Sequence, residues 1–168
     1  ATGDFTNPGW MDMIREQLDA GENGLLRLRD GKALEQELPW YSGSVDATRI
    51  RFLLCTEISS IYKKAGKVRK IHNLVFMPSI EAALKFNTRL AQVGNLSSDG
   101  RHILGLDARD LLEMVLETDP LAYLVPAHIW TPWFSLFGSK SGFDRIEDCF
   151  GYLSSEIFAL ETGLSSDP

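Results

Sequence analysis

A small set of histidines and acids in this sequence sits where a sheet could gather them. His72 lies in the run Val68-Arg69-Lys70-Ile71-His72-Asn73-Leu74-Val75-Phe76, and His128 follows the apolar segment Leu124-Val125-Pro126-Ala127. Glu57 comes directly after the apolar run ending Cys55-Thr56, and Asp4 follows Thr2-Gly3. If these segments are strands of a parallel sheet, Asp4, Glu57 and His128 gather at the mouth where α/β folds bind ligands, and His72 can join them. Neutral imidazole and ionised carboxylate together suit a divalent ion such as Zn or Mn. A bound ion lowers the pKa of water and neutralises charge developing on a phosphoryl group. Each position also has a plainer use. A histidine at a strand end can be a hydrogen-bonded rim residue, and an acid after a buried strand must be compensated in any case. Asp4 suits a turn, and His102, after Gly100-Arg101, reads as a solvated loop residue.

Two other clusters bear on partners. Lys63, Lys64, Lys67, Arg69 and Lys70 are the one basic concentration in an acidic chain. They form either a solvated hairpin or a contact to a phosphate backbone, which needs only local positive charge. Trp130-Thr131-Pro132-Trp133-Phe134-Ser135-Leu136-Phe137 follows His128 immediately. Such a loop either folds back as a lid over the core or offers Trp130, Trp133 and Phe134 as a platform for a base. The following Gly138-Ser139-Lys140-Ser141-Gly142 lacks the spacing of a P-loop.

These residues need elements to hold them. Trp10, Met13, Ile14 and Leu18 recur at a helical period. Residues 21–44 are mixed and predict a long excursion, partly loop. Residues 50–56 and 67–76 predict strands, with Lys63-Lys64-Ala65-Gly66-Lys67 supplying a hairpin turn. Ser79 predicts the N-cap of a helix whose apolar face is Ile80, Ala83, Leu84, Leu90 and Val93. Asp107 opens another helix, burying Leu111, Leu112, Val115 and Leu116 and stopped by Asp119-Pro120. Residues 122–127 and 157–160 predict strands and 144–152 a helix. The alternation gives an α/β class with largely parallel strands.

Length and composition fit that picture. A chain of 168 residues with 44% hydrophobic and 24% charged residues matches one soluble globular domain. No run approaches the roughly 20 apolar residues of a membrane helix. The net charge of -6 gives the surface as a whole no preference for nucleic acid, so such contact requires a local patch. Cys55 and Cys149 read as reduced core thiols of a cytoplasmic protein. No targeting peptide is visible, and the chain starts and stops inside motif-like elements, so it is expected to be an internal piece of a longer protein.

Several segments resemble, in order, the endonuclease Q branch of the PHP (polymerase and histidinol phosphatase) superfamily. They are Thr2-Gly3-Asp4-Phe5-Thr6-Asn7-Pro8, Thr56-Glu57-Ile58, Arg69-Lys70-Ile71-His72, Pro126-Ala127-His128-Ile129-Trp130-Thr131-Pro132-Trp133 and Leu160-Glu161-Thr162-Gly163-Leu164-Ser165-Ser166-Asp167. The resemblance implies a distorted (β/α)7 barrel, of which residues 1–168 are the central part, truncated at both ends. It implies more than one divalent metal ion (Zn, Mn or Mg) at the strand ends. It also implies an endonuclease that nicks DNA 5′ to deaminated bases (uracil, hypoxanthine, xanthine) or at abasic sites. On this likeness Asp4, Glu57, His72 and His128 are metal ligands, with Glu57 and His128 as candidate catalytic residues. Asn7, whose neutral amide oxygen is a weaker donor, stands where the family's Gly-Asp-x-x-His-Pro motif has histidine. The family's opening His-x-His and closing Asp-x-His lie beyond the two ends. The alternatives are a PHP-like module that binds nucleic acid or a partner without catalysis, and a small-molecule phosphoesterase.

Overall fold

Asn7 starts the first element. In the computed structural model, which describes residues 4–33, 46–97 and 102–162, helix α1 spans Pro8–Gln17. The Asn7 Oδ1 accepts hydrogen bonds from the backbone N–H groups of Gly9 (2.9 Å) and Trp10 (3.3 Å). Pro8 sits at the first helical position, where its missing N–H is not needed. Met11, Ile14 and the following Leu18 are buried, whereas Trp10 and Met13 are exposed. The buried stripe is therefore turned by one residue from the expected one. Asn7→Ala is expected to lower stability by about 1 kcal/mol, read as a shift in the denaturation midpoint, and Asn7→Asp to retain most of it. Equal stability of all three proteins would remove the capping role.

After α1, the short strands β1 (Leu18–Ala20), β2 (Leu26–Leu28) and β3 (Arg51–Phe52) form an antiparallel sheet in that order. Part of the excursion expected at 21–44 is thus sheet, and residues 34–45 lie outside the described residues.

Strands β4 (Leu54–Lys64) and β5 (Lys67–Met77) pair antiparallel over their whole length. Ala65 (φ 51°) and Gly66 (φ 74°) make the turn between them. Two successive positive φ values match the twist of a two-residue hairpin, and glycine takes such a φ without penalty. Helix α2 (Ile80–Leu90) follows, with the Ser79 Oγ accepting from the Ala82 N–H at 3.1 Å. Phe86 joins Ala82, Ala83 and Leu90 on its buried side, and Leu84 and Val93 face outward. Strand β6 (His102–Leu104) runs parallel to β4, and helix α3 (Ala108–Thr118) starts at Asp107, whose Oδ1 accepts from the Arg109 N–H. Strand β7 (Tyr123–Pro126) pairs antiparallel with β5, and helix α4 (Ile146–Phe150) runs into a 3-10 segment, Gly151–Glu156.

The larger sheet has the order β6-β4-β5-β7, and only its β4–β6 pair is parallel. The expectation of largely parallel strands is corrected here: a two-residue turn can join only antiparallel neighbours. The class is mixed α/β, and among the described residues both sheets are open, so they form no closed (β/α)7 barrel. Among the described residues, 157–160 join no ladder. Their continuation is tied to the end of β7 by backbone bonds, Glu161 N–H to Pro126 O (3.1 Å) and Ile129 N–H to Glu161 O (3.0 Å).

Strand alternation divides the sheet's two faces. Ile58, Ile71, Val75 and Leu104 are buried in a core with Phe86, Leu111, Leu112 and Val115 of the helices. Glu57, Ser59, His72 and Leu74 take the opposite face, since Glu57 pairs with Leu74 and Ser59 with His72. Cys55 and Cys149 are buried without a disulfide. Burial pushes their thiols up, to about 11 for Cys55 and about 12 for Cys149, which keeps both protonated and unreactive. No helix among the described residues is long and apolar enough to cross a membrane.

Candidate metal centre and its aromatic rim

Glu57 and His72 are diagonal neighbours across the β4–β5 hairpin, the arrangement that brings long side chains on one face into reach. His128 comes from just past the end of β7. Its neighbour Ala127 donates its N–H to His72 O at 2.9 Å, which seats the third residue against the other two. One potential ligand atom from each of Glu57, His72 and His128 lies within 4.8 Å of the others. The His72 Nδ1 is 3.0 Å from the His128 Nε2 and 3.3 Å from the Glu57 Oε1, and the His128 Nε2 is 3.5 Å from that same oxygen.

That triangle has the size of a coordination sphere. Two ligands of a tetrahedral zinc at about 2.0–2.1 Å lie about 3.4 Å apart. Two imidazole nitrogens and one carboxylate oxygen are also the donor types that zinc and manganese share. The residues present thus fit a divalent ion on spacing and on chemistry. His72 is 7% exposed. The Glu57 and His128 side chains keep about a quarter of their surface open, which leaves an approach for a further ligand.

Several contacts hold His128 in place. It has a φ of 32°, unusual for a residue with a Cβ. The Glu161 carboxylate accepts from its backbone N–H at 2.7 Å, and its ring Nδ1 lies 3.2 Å from the Thr131 Oγ1. Neither Glu161 nor Thr131 was singled out from the sequence for this task. The signal for Glu161 was present: it follows an apolar stretch, Ile157 to Leu160, as Glu57 follows Cys55-Thr56.

Asp4 is placed elsewhere. Its Oδ1 lies 3.6 Å from the Nε2 of His102, and it is not in the group formed by Glu57, His72 and His128. Burial raises the Asp4 carboxyl above its ordinary value, opposed by His102 and by the Thr6 hydroxyl. His102 is fully buried rather than solvated, because β6 sets it in register with Ile58 on the core face. Among the described residues neither of its ring nitrogens has a hydrogen-bond partner. The Asn7 amide oxygen is engaged as the α1 cap. Thr2, Gly3 and the turn at 163–167 lie outside the described residues.

The aromatic loop runs along β5 where β7 ends. His72 N–H donates to Phe134 O (3.0 Å), Lys70 N–H to Ser141 O (3.3 Å), and Phe134 N–H to the Ser141 Oγ (3.1 Å). The Phe134 ring is half-buried and lies 4.6 Å from the His72 ring, so it walls the centre. Trp130 and Trp133 remain 50% and 51% exposed, Trp130 with its ring 5.2 Å from that of Phe137. The Lys70 Nζ sits over both Trp133 (5.1 Å) and Phe134 (5.2 Å). The loop is thus neither a closed lid nor a free platform: one ring covers the centre and two stand open beside it.

The basic cluster divides by role. The Lys64 Nζ is tied to Asp107 (3.2 Å) and donates to Cys149 O (2.7 Å). Arg69 donates to Gly142 O, with its guanidinium carbon 4.1 Å from the Phe143 ring centre. These two hold the loop and helix ends against the hairpin. Lys63 and Lys67 are exposed at the hairpin tip, and Lys70 adjoins the aromatic rings.

No family model matches the chain. Uncharacterized protein YqxK of Bacillus subtilis (strain 168) is 32% identical over 148 residues, covering 85% of this chain and 35% of that protein. The crystal structure of the lesion-specific endonuclease PfuEndoQ from Pyrococcus furiosus matches 99% of this chain with a TM-score of 0.70 and 26% identity. A structure of endonuclease Q with a 27-mer duplex substrate, carrying an abasic lesion at the active site, matches equally well in TM-score (0.70) at 27% identity. The chain spans about a third of the length of these proteins (34% of each solved chain). The likeness to endonuclease Q carried by the motifs is therefore also a likeness of fold.

Proposed function

We propose that the complete protein is a metal-dependent DNA repair endonuclease of the endonuclease Q kind, nicking 5′ to deaminated bases or at abasic sites. In this reading residues 1–168 are the central part of its PHP-type catalytic domain, working in the cytoplasm. The observation that carries it is the convergence of Glu57, His72 and His128 beside two open tryptophans and Lys70. Held by those three residues and by further ligands outside this chain, divalent Zn, Mn or Mg ions supply a lowered water pKa and neutralise charge on the phosphodiester. Glu57 and His128 stand on the open side of the group, next to the scissile phosphate in this reading. Lys63, Lys67 and Lys70 meet the DNA backbone, Lys64 and Arg69 support them from below, and Trp130, Trp133 and Phe134 receive the damaged base or fill its place. Asp4, which lies against His102, serves in this reading as a ligand only if the complete domain turns it toward the ions. A compact phosphate monoester needs neither an aromatic rim nor a basic hairpin, which disfavours a small-molecule phosphoesterase.

The test is a nicking assay with the complete protein on duplexes carrying one uracil, hypoxanthine, xanthine or abasic site. Strand cleavage 5′ to the lesion, lost in EDTA and restored by added Mn or Zn, is the expected result. Lesion binding with no cleavage in any metal would instead make the protein a binding module, the reading that Asn7 in place of histidine favours.

A further inference from the structure

We infer that Thr131 is a positioning residue that locks His128 in the tautomer carrying its proton on Nδ1, so that the Nε2 lone pair faces Glu57 and His72. The inference rests on the metal reading above and concerns how that site is kept ready for an ion.

It follows from counting protons. The Thr131 hydroxyl has one proton and two lone pairs. Its oxygen lies 2.8 Å from Trp133 O and 3.3 Å from His128 O, and both of these carbonyls can only accept. The hydroxyl proton therefore goes to a carbonyl. The same oxygen lies 3.2 Å from the His128 Nδ1, and toward that nitrogen it presents a lone pair. Nδ1 must then carry the hydrogen and donate. A neutral imidazole with its proton on Nδ1 has none on Nε2. The bare Nε2 is the atom 3.0 Å from the His72 Nδ1 and 3.5 Å from the Glu57 Oε1. The other tautomer would aim a hydrogen into the space between the three donors and exclude a cation.

The loop is built to keep Thr131 where this works. The Thr131 N–H donates to His128 O (3.2 Å), Lys140 N–H donates to Pro132 O (3.0 Å), and the Ser135 hydroxyl donates to Thr131 O. Gly138 closes the loop on that spot: a Cβ there would lie 2.6 Å from Thr131 O and 2.7 Å from Pro132 O. Partners that hold the second nitrogen of a metal-binding histidine commonly contribute 10- to 100-fold in affinity.

The experiment compares Thr131→Val, which keeps the shape and removes the hydroxyl, with Thr131→Ser, which keeps the hydroxyl. In the complete protein, zinc affinity is measured by competition with a chelator of known affinity, and the ring nitrogens of His128 are read by NMR in the metal-free protein near neutral pH. Thr131→Val is expected to bind zinc about 10- to 100-fold more weakly, and Thr131→Ser to stay within about threefold of the parent. The His128 Nδ1 should carry the proton in the parent and in Thr131→Ser, and a tautomer mixture should appear in Thr131→Val. Equal zinc affinity of Thr131→Val and the parent, or an Nε2 proton in the parent, overturns the inference. So does a Thr131→Ser protein that falls as far as Thr131→Val. If the parent protein binds no zinc, manganese or magnesium, the metal reading fails, and the NMR spectrum alone still decides whether Thr131 sets the tautomer.

Discussion

Glu57→Gln in the complete protein is expected to lower both metal content and lesion-dependent nicking by more than about 100-fold. Partners one shell further out already contribute up to about that much, and Glu57 is the only carboxylate in its group with His72 and His128. Glutamine keeps the volume and the strand position but offers a neutral oxygen, a poor donor for zinc or manganese. It also removes the negative charge that offsets a divalent cation between two neutral rings. The fold should tolerate the change, because Glu57 lies on the face of β4 opposite the core residues Ile58 and Val75. Metal content by mass spectrometry, nicking rate and melting temperature on the same preparation check this. Unchanged metal content would take Glu57 out of the ligand set, and a collapsed melting temperature would make it a structural acid.

Trp133→Ala should weaken binding to a lesion-bearing duplex by about ten- to a hundred-fold, because stacking a base on an aromatic ring contributes roughly 1–3 kcal/mol. Metal content and melting temperature should hardly change. A buried tryptophan cut to alanine destabilises by about 3–5 kcal/mol, but half of Trp133 is open to solvent (51%) and its ring contact here is with the Lys70 ammonium. Phe134→Ala should behave differently, since that ring lies against His72 at 4.6 Å and its loss would open the centre to water. Comparing affinity for undamaged and damaged duplexes separates base stacking from backbone attraction, which in the proposed reading comes from Lys63 and Lys67 without regard to the lesion. A large fall in melting temperature for Trp133→Ala would return that residue to the core.

The parts of the fold that local chemistry decides were readable from the residues. Ser79 and Asp107 cap the helices they were expected to cap, because a short oxygen reaching an N–H two or three residues on is a local event. The Ala65-Gly66 turn was readable for the same reason. Strand direction was not, since β7 meets β5 across some fifty residues and nothing in Tyr123–Pro126 names its neighbour. His102 was misplaced because Gly100-Arg101 signals a loop, while burial comes from pairing with Ile58 far away in sequence. The grouping of Glu57, His72 and His128 was anticipated, though by a different geometry. Strand ends at a parallel mouth were expected, and a hairpin diagonal with one residue from past a neighbouring strand is what forms. The position of Asp4 in its motif pointed to the centre, and its side chain lies against His102, a residue that β6 brings in from far along the chain.

The β4–β5 hairpin also sets an order of events during folding. Glu57 and His72 sit on adjacent strands joined by a two-residue turn, so their meeting is a local step of the kind completed in about 1–10 μs. His128 is 56 residues from His72 and arrives only when β7 docks, a contact that carries the entropy of closing a long loop. Until then the chain offers two donors, too few to compete with water for a divalent ion. In the proposed reading an ion at this site therefore recognises the nearly finished native state and gains little hold on its precursors. If β7 docks after the main folding barrier, an ion held there as proposed should slow unfolding while leaving the refolding rate almost unchanged.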